Sequence, residues 1–304
     1  MDKTYRGFSG DPVVITGIGI AVSENLREYF LGVRDFVLSD MISYECEPFD
    51  YLRQRKTLKF MSKQDRLALE AAGKALDIAA IPQEVLSNHT GVFITVGYIP
   101  FEFDTAAELC KGSMENGRFS MQQFSTTGID DINPLLAFAC LPNMPAHHVA
   151  MNFEIFGQYF ITYPDNIQFY HALQESVLRL VQGEIDCALV GGVADQNNFL
   201  VRHHFNKVRP DSDCFAADCG AFMVLETKSA AQKRRADIVM ELEFLDLQWD
   251  EQSNPQKNNP TDRICLGPAE LPFHLALFTE NDSPEYRHLI QCNEIIAQSR
   301  WKKP

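Results

Sequence analysis

Three segments of this chain are apolar at nearly every position and end in glycines: VVITGIGI (13–20), GVFITVGYI (91–99) and IDCALVGGVA (185–194). A strand of that kind has no polar face to give to solvent, so it must be covered on both sides. CGAFMVLET (219–227) and ADIVMELEFL (236–245) read as two more strands, and QYFITY (158–163) as a shorter one. Helical patterns separate them. Residues 62–79 carry Leu67, Ala68, Ala71, Ala72, Ala75, Leu76 and Ala79 near i, i+3, i+4 spacing, with Ser62 as N-cap and Asp65 three residues on. A second helix follows Pro142. A third, 166–183, has the stripe Ile167, Tyr170, Leu173, Val177, Leu178, Val181 and a stop at Gly183. Doubly covered strands alternating with helices specify an α/β protein with a largely parallel or mixed sheet between helix layers.

Two stretches break the alternation. Residues 100–141 are irregular and rich in Phe and Met, too apolar for a linker, so they must bury themselves against the core or a partner. Residues 249–263 read as a loop or disordered segment. Beyond it the sequence predicts a helix over 268–279 and a strand over 287–301.

Several function classes are disfavoured. The 304 residues carry a net charge of −14, without the basic face that nucleic-acid binding needs. No apolar run approaches the ~20 residues of a membrane helix, and the N-terminus has no apolar core of a signal peptide. The eight cysteines form no C-x-x-C pair and read as reduced, mostly buried thiols of a cytoplasmic protein. Gly17 and Gly19 close a strand, but Val22 stands where a dinucleotide fingerprint needs its third glycine, so they read as backbone geometry. His147 and His148, like His203 and His204, are adjacent and lack the i, i+4 spacing of a zinc helix, so no metal is expected. Glu184 and Asp186 read as a solvated turn, and KRRAD (233–237) as a solvated helix end. No cofactor is expected.

The order of these segments resembles the β-ketoacyl synthases, condensing enzymes of the thiolase fold. VVITGIGI resembles their opening strand, KFMSKQDRLALEAAGKAL their first long helix, and PNMPAHHVAMNFEIFGQYFIT their approach to the active site. The closest match is ALQESVLRLVQGEIDCALVGGVAD, with Gly183, Glu184, Asp186, Gly191 and Gly192 at motif positions. The resemblance covers about 13–245 and implies a thiolase-like layered fold with a near-complete first half and a truncated second half. A ketosynthase-like domain would span 1–248, and 264–304, beyond the 249–263 loop, would be a remnant of the second half completing that domain.

Such enzymes carry a nucleophilic Cys at the start of the helix matching 166–183, where the helix N-terminus lowers the thiol pKa. Here that position is Asn166, in ITYPDNIQFYHAL, and no Cys lies between Cys140 and Cys187. Cys187 sits inside a buried strand. The family's H-G-T histidine motif is absent, and His274 and His288 match neither histidine motif. Loss of these groups together points to release from catalysis. Asn166 itself would be an N-cap or a polar group facing a remnant pocket.

The resemblance therefore implies a catalytically inactive chain length factor, a pseudoenzyme that forms a heterodimer with an active ketosynthase in polyketide or fatty-acid-like chain elongation. The short length resembles the form found in aryl polyene systems. An alternative is an enzyme with relocated acyl-transfer or decarboxylase chemistry, or a scaffold paralogue. In the family the strand before the nucleophile pairs across the dimer axis, which marks Gln158, Tyr159, Phe160, Ile161, Thr162 and Tyr163 as interface candidates. The Phe-rich segment falls where the family lines the partner's acyl tunnel. Phe101, Phe103, Phe119, Met121, Phe124 and Leu136 would line that tunnel or fill this chain's own core. Acyl carrier protein would bind mainly through the complex. Lys59, Lys63 and Arg66 form a basic patch where carriers dock on synthases, or simply a solvated first turn.

Overall fold

A computed structural model describes residues 10–35, 37, 42–99, 103–130, 141–208, 215–249, 264–292 and 294–304. Its strands are β1 (Val13–Ala21), β2 (Thr90–Val96), β3 (Met114–Glu115), β4 (Arg118–Phe119), β5 (Tyr159–Thr162), β6 (Cys187–Ala194), β7 (Phe215–Ala216), β8 (Cys219–Thr227), β9 (Met240–Trp249), β10 (Ile264–Cys265), β11 (Glu285–Cys292) and β12 (Ile295–Lys302). Eight of them form one sheet in the order β11-β12-β9-β1-β8-β6-β2-β5. β6, β2 and β5 run parallel, whereas β8 is antiparallel to both β6 and β1. The sheet is therefore mixed, and β1, β2, β6 and β8 are buried almost throughout.

Helix Lys63–Ala79 lies on one face. Its Ser62 N-cap and Asp65 form a complete capping box, as the sequence predicts. The alanines allow close approach, and the strand beneath answers with glycines. A Cβ on Gly17 would lie 2.2 Å from the Ala75 carbonyl oxygen, and one on Gly19 2.2 Å from that of Ala71. Their role is helix–sheet contact, not a phosphate cradle. Helix Met144–Phe153 packs beside this helix.

The opposite face is covered by helices Asn166–Val181 and Glu270–Phe278. Gly191 and Gly192 serve the two faces in turn. A Cβ on Gly191 would strike the Phe222 ring at 2.2 Å, and one on Gly192 the Pro268 carbonyl oxygen at 2.0 Å. The turn Gly267–Ala269 thus rests directly on β6 and delivers helix Glu270–Phe278 to its place.

Differences from the sequence reading are local. Residues 287–301 are not one strand but the hairpin β11–β12, which turns between Cys292 and Ile295 and adds to β9. Its Trp301 is fully buried in the core beneath helix 166–181. Helices Glu24–Phe30, Gln83–Asn88 and Phe199–Val208 were not legible. β9 extends to Trp249, and the rest of the 249–263 segment lies outside the described residues. Arg234 of the KRRAD run is not solvated: its guanidinium reaches the buried Glu226 carboxylate at 2.6 Å. One further carboxylate, Asp218, is fully buried. Its Oδ1 accepts from the backbone N–H groups of Gln196 and Asn197, both at 2.9 Å, and its Oδ2 from Tyr44 N–H at 3.0 Å.

Candidate functional site

The three parallel strands β2, β5 and β6 end together, and the crevice beyond such ends is where open α/β sheets place their chemistry. β5 leads through Tyr163–Pro164 to helix 166–181. The N-cap is Asp165, whose Oδ1 accepts from Gln168 N–H at 3.3 Å, and not Asn166. Asn166, in the first turn, is free to use its amide elsewhere: Nδ2 donates to Glu270 Oε2 at 2.8 Å. Glu270 stands in the first turn of its own helix, so the heads of two helices meet across this bond.

The cluster continues inward. Glu270 Oε1 lies 3.3 Å from His288 Nε2, and His288 Nδ1 lies 2.8 Å from the Tyr170 hydroxyl. Tyr170 also meets Ser299 Oγ at 3.1 Å, which accepts from Trp301 Nε1 at 3.0 Å. His274 lies beside His288, ring centroids 6.3 Å apart. Burial works against the Glu270 charge. The hydrogen bond and charge of His288, the charge of His274 and the Asn166 amide outweigh it and hold the carboxyl below its usual pKa. Burial pushes the Tyr170 hydroxyl well up, so it stays neutral. An amide, a carboxylate fixed by an imidazole and a buried phenol supply no thioester nucleophile at this helix end. Cys187 is fully buried in β6, and burial pushes its thiol up. Of the remaining described cysteines, Cys46 and Cys219 are buried, Cys265 and Cys292 half-buried and Cys110 exposed, none of them in a disulfide. Among the described residues, no three metal-ligating side chains come together.

Sequence reasoning left Glu270, His274, His288 and Tyr170 outside the site. One signal was available: in ELPFHLALF the only polar residues, Glu270 and His274, are i, i+4 and share a helix face.

The other predicted residues separate. Among the described residues β5 pairs with β2 alone and is an edge of the sheet, with Tyr159 74% exposed. Gln158 precedes it and accepts from Val92 N–H at 2.8 Å. Phe160, Ile161 and Thr162 are half-buried, and Tyr163 packs edge-on against Tyr98. Phe103, Phe119 and Met121 are 65%, 64% and 66% exposed, so they do not fill this chain's own core. Phe103 leans on Phe199, and Phe124 is half-buried near Phe119. Phe101 and Leu136 lie outside the described residues.

The basic patch needs correction. Lys63 is half-buried and committed to Asp218 at 2.8 Å and Glu45 at 2.6 Å. Burial opposes its charge, but the carboxylates outweigh that and push its pKa up. Arg66 is half-buried. Only Lys59 is exposed, its ammonium 4.7 Å from the Phe60 ring centroid, and the exposed bases beside it are Arg55 and Lys56.

The profile of the family described as beta-ketoacyl synthase, N-terminal domain, matches residues 39–224, more than half of the chain. The chain belongs to the β-ketoacyl synthase family. No curated protein sequence matches it. Solved structures share its fold at low identity. A type II polyketide synthase complex, AntDE:AntF, in which an acyl-carrier protein is held by its ketosynthase, contains a chain matched with TM-score 0.71 at 14% identity, over 97% of this chain and 100% of that one. A β-ketoacyl synthase from Burkholderia phymatum STM815 gives 0.69 at 13%, with the same coverage. The ishigamide ketosynthase/chain length factor gives 0.59 at 20%, over 81% of this chain and 66% of that one. The fold is thus the thiolase-like ketosynthase fold, and a chain of this length matches two such chains end to end while spanning less than two thirds of the ishigamide one. Among the described residues, no helix is long and apolar enough to cross a membrane.

Proposed function

We propose that this chain is a non-catalytic chain length factor, a subunit that pairs with a cysteine-bearing ketosynthase and helps shape its acyl tunnel, in the short form used by aryl polyene-like type II systems. The observation that carries the reading is Asn166. At the head of the helix where the family's thiol would stand, an amide donates to a carboxylate at 2.8 Å. Two further observations support it. Among the described residues β5 pairs on one side only, and an edge of uncharged residues with aromatic flanks invites a partner strand. The Phe103–Ile129 region exposes large apolar side chains that a partner would cover. Two of the structures of like fold are, by their descriptions, a ketosynthase with its carrier protein and a ketosynthase/chain length factor.

The test is co-expression with a cysteine-bearing ketosynthase. A one-to-one complex, with more soluble product than the chain alone, is expected, together with no labelling of the isolated chain by an acyl-carrier thioester or by cerulenin. Stoichiometric labelling at one cysteine would overturn the reading. Catalysis by relocated groups draws its only support from the Glu270–His288 pair. Acyl transfer or decarboxylation by the isolated chain would establish it instead.

A further inference from the structure

We propose that Glu270 closes the head of helix 166–181 to acyl thioesters as a fixed internal anion, so that this chain is excluded from acyl transfer by a second residue and not only by the missing sulfur. The inference rests on Asn166 as the nucleophile position.

A helix N-terminus carries roughly half a positive charge, which is why a thiol placed there ionises readily. Here a negative charge is already in place. Glu270 Oε2 is held by the Asn166 amide at 2.8 Å, and Oε1 faces His288 Nε2 at 3.3 Å. His288 cannot easily turn away, because its other nitrogen meets Tyr170, itself buried and fixed by Ser299. The carboxylate also sits in the first turn of helix 270–278, so two helix heads stabilise one charge. Its position is set by packing. The turn Gly267–Ala269 that precedes it touches β6 at Gly192, where even a methyl group would lie 2.0 Å from the Pro268 carbonyl oxygen.

A thiol introduced at position 166 would stand beside this carboxylate and close to Asp165, the N-cap. A like charge disfavours thiolate formation. The imidazoles within reach, His288 and His274, already face Glu270 from β11 and from its own helix, Tyr286 stacks on His288, burial pushes up the Tyr170 hydroxyl and the Cys219 thiol near Glu270, and burial lowers His171 near Asp165. Restoring the sulfur alone therefore does not restore a nucleophile.

The experiment compares Asn166→Cys with the double variant Asn166→Cys/Glu270→Gln in the full chain. Iodoacetamide is applied across pH 6–10, and modification at position 166 is quantified by peptide mass spectrometry. Asn166→Cys should titrate above the ordinary thiol value of about 8.5, and the double variant should react at least about tenfold faster at pH 7. Thermal midpoints are measured for both. Should Glu270→Gln lower stability, the pH profile of Asn166→Cys alone decides. A midpoint above the ordinary value supports closure by Glu270. A midpoint below it, or equal rates for two well-folded variants, overturns the proposal. No partner is needed, so this result is independent of whether the chain assembles with a ketosynthase.

Discussion

The two ends of the sheet are finished differently. At one end β11 is eight residues long and is guarded by charge. Glu285 and Arg287 pair on the strand itself, and behind them Arg300 reaches Glu243 at 3.0 Å, Lys302 reaches Glu241 at 2.9 Å and Glu243 at 3.1 Å, and Lys228 reaches Glu241 at 2.6 Å. At the other end β5 has four residues, YFIT, without a charge. A bare edge is a template for another strand, and proteins that must remain alone cover it with charges. Among the described residues one edge of the sheet carries charges and the other does not, and the proposed partner surface is the uncharged one.

The largest expected effect comes from defending the open edge. Tyr159→Asp should weaken assembly with the ketosynthase by about 100-fold or more, roughly 2.7 kcal/mol, while the isolated chain keeps its thermal midpoint because Tyr159 is 74% exposed. Isothermal titration and thermal melting measure the two. Normal assembly would place the interface elsewhere. Next, Phe119→Ala and Met121→Ala remove exposed apolar side chains of the Phe-rich segment. Each should cost about 1 kcal/mol or more of assembly if it is an anchor, or lengthen the polyketide product, read by mass spectrometry, if it faces the tunnel. Wild-type affinity and product length in both variants would remove this segment from the partner surface.

The defended edge offers two smaller tests. Arg287→Ile strips its one strand-borne cation beside the exposed Leu289, and concentration-dependent self-association should appear by sedimentation. The charge ladder itself contributes little. Burial raises the Glu241 pKa, but hydrogen bonds from Lys228 and Lys302 outweigh it and lower it on balance. Its stabilisation is thus present above the usual carboxylate value of 4.5 and lost as pH falls through the lower folded value. Glu241→Gln should cost up to about 1 kcal/mol at pH 7 and nothing once the wild-type carboxylate is protonated, by denaturant unfolding at each pH.

The sequence predicts the strands and long helices well because each is coded locally: doubly apolar runs, the Ser62–Asp65 capping box, the Gly183 stop at φ +69°. The hairpin escaped because no glycine or proline interrupts the sequence from 285 to 302, so β11 and β12 fused into one apparent strand. Lys63 looked solvated because its partner Asp218 is far away in sequence. The site was half legible. Asn166 stands out against the family pattern, whereas Glu270 is 104 residues distant and carries no local sign of what it meets. Edge position, too, is a property of the assembled sheet: QYFITY reads as a strand, but nothing in it says that only one side is occupied.

Asp218 has a temporal consequence. Its carboxylate joins β8 to Tyr44, to Gln196 and Asn197 and to Lys63, segments that meet only after the sheet and the Lys63–Ala79 helix have formed. Contacts of such long sequence separation cost loop-closure entropy to form, which predicts that this clasp closes after the folding nucleus. The clasp would then act as a latch on the way out: Asp218→Asn should leave the refolding rate near its wild-type value and speed unfolding, so that this buried carboxylate lengthens the time the folded chain persists.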